Sequence, residues 1–233
     1  MRILGIIAVF CFGITATAQS TTDLEKHYEA FYQQMRAQGD AAGIINALTH
    51  LQVLKPSQAR LDTLAYIYVN NNQHMQALNT IGIEKNAADS DLAVQVKAVS
   101  LKALNQPKRA IEQFDVLYTR MPDPYLAYEL ADLKIQVGDA AGATAIITYG
   151  IANAKEDMSY AFYERQQPYE VSLKAAFLHL RALVNYTLDK TKITESIADI
   201  DAALVISPNF NLASLSKQAL EKRQTDEAAV KPE

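Results

Sequence analysis

Apolar positions recur along this chain at helical spacing, and the pattern repeats at a period of 33 residues. Gly39, Asn72, Asn105 and Gly138 are each 33 apart, as are Ile44, Ala77, Ala110 and Ala143, and Leu48, Ile81, Phe114 and Ile147. Within one such stretch Leu61, Leu64, Ala65 and Tyr68 follow a helical period, Asn70 to Gln73 interrupt it, and Met75, Leu78 and Ile81 resume it. This predicts helix, tight turn, helix. The same reading covers residues 23–55, with the turn at Gln38-Gly39-Asp40, and residues 125–154, with the turn at Val137-Gly138-Asp139. Gly or Asn in that slot suits a helix end with positive φ, which other residues reach only at a cost. Pro56, Pro122 and Pro208 follow the second helices and stop them. Thr22 and Glu25 have the spacing of a capping box and predict where the first helix begins.

A unit of this length cannot bury its own apolar face and must stack on its neighbours. Small residues at Ala65, Ala98 and Ala131, against Ala77, Ala110 and Ala143, let two helices approach within a pair, while Leu48, Ile81, Phe114 and Ile147 fill the space toward the next. A fifth unit is out of register. Leu173 to Thr187 reads as its first helix and Thr194 to Val205 as its second; Ser196 lies 53 residues after Ala143, so an insertion separates units four and five. The inserted stretch, at about 156–169, carries Tyr160, Phe162 and Tyr163. Two readings stand: the aromatics pack over the junction, or they form a loop that contacts a partner. Leu212 to Arg223 mixes Leu with Lys, Gln and Glu, as a capping helix at the open end of a stack should. Residues 224–233 read as a disordered tail.

This arrangement resembles the tetratricopeptide repeat (TPR). The resemblance rests on the bulky-small pair with a later large residue (Leu64, Ala65, Tyr68), the Gly-Asp turns (Gly39-Asp40, Gly138-Asp139), the small residue opening the second helix (Ala77, Ala110, Ala143) and the closing proline. It covers most of residues 19–223. Departures are the 33-residue period where 34 is usual, large Tyr32 and Ile44 where the family prefers small residues, and charged Lys97 where it prefers Leu. Ankyrin repeats share the period, but no Thr-Pro-Leu-His opening is present.

The resemblance implies an all-α, right-handed α-solenoid of about five helix pairs with a C-terminal capping helix. It also implies a groove on the concave face, lined by first helices, that takes a peptide or helix. Carried over by position, the groove residues are Tyr66, Asn70, Val99, Lys102, Tyr125, Tyr128, Asp132, Arg181 and Asn185, with Asp62 and Gln95 beside them. Tyr160, Phe162 and Tyr163 of the insertion are further contact candidates. Some TPR proteins grip a C-terminal carboxylate with converging Lys and Asn. Here only Arg181 and Asn185 suit that role, while Glu29, Asp62 and Asp132 oppose it, so a neutral or basic segment is expected.

The N-terminus has the form of a cleavable export signal. Arg2 supplies the positive region, Ile3 to Ile14 a mostly apolar run, and Ala16-Thr17-Ala18 a cleavage site, so residues 1–18 are set apart from the fold. The Ala18-Gln19 junction resembles those of Bacteroidetes envelope proteins. Cys11, the single cysteine, lies inside this segment behind Phe10, where a lipid-attachment signal wants a small residue. The remaining chain has no thiol, and packing must stabilise it without disulfides. The expected location is the periplasm.

Charge and chemistry narrow the function. The net charge is −4 with no polybasic run, which disfavours nucleic acid and anionic membrane as partners. His27, His50, His74 and His179 are scattered, no nucleophile elbow or phosphate loop is present, and Asp199 and Asp201 sit at a spacing that points them apart on a helix. No catalytic, cofactor or metal site is expected. The expectation is a non-enzymatic module that binds a segment of another envelope protein. The alternative is a stoichiometric subunit of an envelope complex using the convex face and the inserted aromatic loop. The oligomeric state is left open.

Overall fold

A computed structural model describes residues 20–230, with side chains to residue 226. The signal-peptide reading falls on residues outside that range. The chain divides into two compact units with the boundary after Arg60.

The first unit holds α1 (Thr21–Gln38) and α2 (Ala41–Leu54), packed on each other. The cap of α1 differs from the expected Thr22–Glu25 box: Ser20 Oγ accepts from the Asp23 amide at 3.1 Å and donates to its carboxylate at 2.7 Å. The same logic therefore operates two residues earlier. Leu48 and Leu51 are buried between the helices, and the Tyr28 ring stacks on His50 with centroids 4.3 Å apart.

The second unit begins within α3 (Gln58–Asn70). It continues through α4 (His74–Ile81), α5 (Asp91–Ala103), α6 (Pro107–Arg120), α7 (Pro124–Gln136) and α8 (Ala140–Asn153). After a β-hairpin, β1 (Ser159–Phe162) and β2 (Tyr169–Ser172), come α9 (Leu173–Leu188), α10 (Ile193–Ile206) and α11 (Asn211–Val230). From α4 onward consecutive helices pack on one another. Ala65, Ala77, Ala98, Ala110, Ala131 and Ala143 are all fully buried, so the small residues do sit at the close approaches. Phe114 and Ile147 are buried in the extended core, which runs continuously from Leu78 to Leu220.

The turn register is reproduced throughout. Gly39, Asn72, Asn105 and Gly138 all have positive φ, from +55° to +85°. At each, the turn residue's amide reaches the carbonyl three back, and the next amide reaches five back, as in Asn105 N to Lys102 O and Gln106 N to Leu101 O. This is the Schellman closure, which satisfies helix-end carbonyls that would otherwise lack partners.

Three features depart from the sequence reading. The insertion is an antiparallel hairpin, pairing Ser159 with Ser172 and Phe162 with Tyr169, in a chain read as all-α. The segment before α5 is a loop from Ile83 to Ser90, held by Lys97, whose ammonium donates to Glu84 O at 2.8 Å and pairs with Asp89 at 2.6 Å. The residue that departs from the TPR pattern thus anchors the loop that departs from the repeat. Finally, α11 continues to Val230, past the expected end at Arg223, and Gln224 donates to Thr194 at 2.9 Å. Among the described residues no helix is long and apolar enough to cross a membrane.

Candidate functional site

The residues carried over to the groove divide, in the structure, into several settings. Tyr66 and Asn70 lie exposed on α3, whereas Asp62 is buried and accepts a hydrogen bond from Ser90 Oγ at 2.6 Å. Arg181 and Asn185 on α9 both address Asp199 of α10, Arg181 through two bonds of 2.8 and 2.5 Å. That fork-on-fork pairing holds α9 against α10 and engages the guanidinium internally. Asp201, two residues on, pairs instead with Lys217 at 2.7 Å, so the two carboxylates do point apart.

Tyr125 and Gln95 come together. With Asp91 and Leu92 of α5, Leu117 of α6, Met121, Asp123 and Leu126, they line a cavity of about 440 Å³. Its position follows from the helix ends: Asp123 caps α7 by accepting from the Tyr125 and Leu126 amides, which fixes the start of α7 beside the start of α5. Met121 and Tyr125 are 50% and 40% exposed, so large apolar surface stands at the rim. Arg120 pairs with Asp91 at 2.8 Å at the edge.

Lys102, Tyr128, Asp132 and Tyr160 form a third setting. Glu129 of α7, which the sequence reading passed over, joins them: one of its oxygens pairs with Lys102 of α5, and the other accepts from the Tyr160 hydroxyl at 2.7 Å. The Tyr160 ring lies on Tyr128 with centroids 4.3 Å apart, and Phe162 and Phe177 approach the same ring edge-on. Tyr128 is therefore only 4% exposed. Burial, and then the nearby Asp132 charge, push its hydroxyl well above the ordinary tyrosine range. Burial and then Glu129 push Tyr160 the same way. Asp132 is also raised, first by burial, with Lys102 and the Gln136 amide acting in the opposite sense. A carboxylate retained in such a place is held against its own preference for water.

The two readings of the inserted aromatics are thus divided among its residues. Tyr160 and Phe162 pack over α7 and α9, whereas Tyr163 is 74% exposed. The hairpin alternation could have told them apart, because Tyr160 and Phe162 share one face and Tyr163 continues on the other. The hairpin's far strand is tied to the α10–α11 connection: Ser172 N donates to Ser207 Oγ at 3.0 Å, and Asn209 donates to Glu170 O at 3.0 Å. His179 lies beneath, buried, with Nε2 2.9 Å from Ser216 Oγ; burial pushes its pKa down to about 4. It stays neutral at physiological pH. Among the described residues no group of His, Cys, Asp and Glu side chains could hold a metal ion.

No family model and no curated protein matches the chain. Solved structures do. YrrB, a TPR protein with an unusual peptide-binding site, superposes with a TM-score of 0.64 at 14% identity, over 85% of this chain and 98% of its own. MamA superposes with a TM-score of 0.58 at 14% identity, over 80% and 93% respectively. At these identities the likeness is one of fold, and the fold is that of the TPR proteins.

Proposed function

We propose that this protein is a non-enzymatic interaction module of the cell envelope, and that the face bearing α5 and α7 holds a segment of another protein. The observation that carries this reading is the cavity beside Tyr125. Its floor is apolar, and its rim exposes Met121 and Tyr125 next to Asp91 and Asp123. Exposed aromatic and thioether side chains around an apolar recess are the usual anchors of protein recognition. The carboxylates select a neutral or basic segment over an acidic one. Peptide binding by a protein of the same fold, as named for YrrB, is consistent with this use. Export rests on the N-terminal pattern of Arg2, the apolar run and Ala16-Thr17-Ala18.

The test is crosslinking of the tagged chain in its native cell, followed by capture. The native chain is compared with a Met121→Ser, Tyr125→Ala double variant, which alters only half-exposed side chains. Loss of one partner from the variant, with circular dichroism unchanged, supports the reading. A partner set that is identical in both contradicts it.

A further inference from the structure

The inserted hairpin has one covered edge and one open edge. Leu173 N donates to Met158 O at 2.9 Å just outside the paired residues. In an antiparallel ladder bonded pairs alternate, so Tyr160–Val171 and Phe162–Tyr169 exchange the ladder bonds. Ser159 and Ala161 then aim their N–H and C=O groups away from β2. Neither backbone takes part in any hydrogen bond outside the strands among the described residues. The opposite edge, on β2, is the one covered by Ser207 and Asn209.

The open edge borders a recess. Residues Tyr160 to Glu164 line a cavity of about 410 Å³ together with Asp132 of α7, Leu180 and Leu183 of α9 and Leu212 of α11, and no residue of β2 takes part. The lining is thus a strand edge on one side and a leucine floor on the other, with Asp132 and Glu164 as its charged groups and no Lys or Arg. His179, also in the lining, is neutral. An unpaired strand edge is a template for another strand.

Building on the proposed interaction role, we infer that β1 accepts an extended segment of a partner protein as a third antiparallel strand, with alternating apolar and basic side chains. Its backbone pairs with Ser159 and Ala161. Its apolar side chains enter the recess toward Leu180, Leu183 and Leu212, and its Lys or Arg side chains face Asp132 and Glu164. A helix cannot do this, because its own backbone groups are already paired. Charge decides the occupant: a recess with two carboxylates and no cation complements a basic strand and opposes an acidic one.

The test uses ¹⁵N-labelled protein, residues 19–233, and a synthetic library of eight-residue peptides that alternate Val or Leu with Lys or Arg. A second library has the same composition, with Aib inserted to enforce helix. The expected result is that alternating peptides shift the Ser159, Ala161 and Tyr163 amides and slow exchange of the Ser159 and Ala161 amides at least tenfold. The helical library should leave them unchanged. Ala161→Pro removes one outward N–H without touching the β1–β2 ladder, so it should weaken binding at least tenfold while Ala161→Val does not. Peptides that shift Tyr125 and Gln95 but not the β1 amides overturn the strand inference and leave the α5–α7 reading intact. A library that binds nowhere counts against both. Amide shifts that depend on protein concentration alone, and vanish in Ala161→Pro, assign the edge to a second copy of this chain and overturn the peptide assignment.

Discussion

At the scale of single residues, the turn positions show how much a repeat pattern can specify. Gly138 has φ +85° with open space where a Cβ would stand, whereas a Cβ on Gly150 would lie 2.1 Å from the Phe177 ring. Gly138→Ala therefore meets only the backbone cost of the left-handed region, about 1 kcal/mol. Gly150→Ala must push a fully buried ring aside and should cost roughly 2–3 kcal/mol. Urea unfolding of the two variants should give that order; equal losses would contradict the packing of α8 on α9. The first requirement was legible from sequence because Gly39, Asn72, Asn105 and Gly138 share one slot. The second was not, since Gly150 touches a residue 27 positions away across the insertion. Tyr128 illustrates the same boundary: its place on a first helix could be read off the repeat, but the Tyr160 ring that covers it comes from outside the repeat.

At the scale of elements, the two places where the regular pattern breaks are also where polar side chains hold non-helical chain in place. Lys97 is 2% exposed, and its ammonium secures the Ile83–Ser90 loop through Glu84 O and Asp89. Lys97→Leu restores the residue the TPR pattern prefers yet leaves the Asp89 carboxylate without its cation. Removing one partner of a buried pair costs about 3 kcal/mol or more. Thermal or urea unfolding should show a large loss for Lys97→Leu and substantial recovery when Asp89→Asn is added. A single variant as stable as the native chain would mean that the pair does not hold the loop. Glu129 plays the corresponding part for the hairpin, joining Lys102 of α5 to Tyr160 of β1. Sequence spacing predicts an insertion at about 156–169 and names its aromatics, but a 33-residue period carries no information about the conformation of a segment that interrupts it. The strands, the buried face and the open edge follow only from the contacts.

At the scale of the molecule, the repeats supply a scaffold, and two of its exposed apolar side chains, Met121 and Tyr125, stand together where the first helix α7 begins. Met121 and Tyr125 stand at the mouth of a recess between α5 and α7, while Val205, 81% exposed on α10, is not among the residues that line it. This contrast separates a binding surface from ordinary exposed apolar surface. The helix pairing and the turn chemistry of the repeats were readable beforehand, because each follows from periodicity and from the few residues that tolerate positive φ. The use of the face was not readable, because Arg181 is engaged by Asp199 and Tyr128 by Tyr160, and neither partner is marked in the sequence as such. The most direct test of the α5–α7 face places a benzophenone amino acid at Tyr125 in one strain and at Val205 in another, with irradiation of living cells. A single partner crosslinked through position 125 and absent through position 205 is the predicted result; the same partner captured only through position 205 would contradict the assignment of this face.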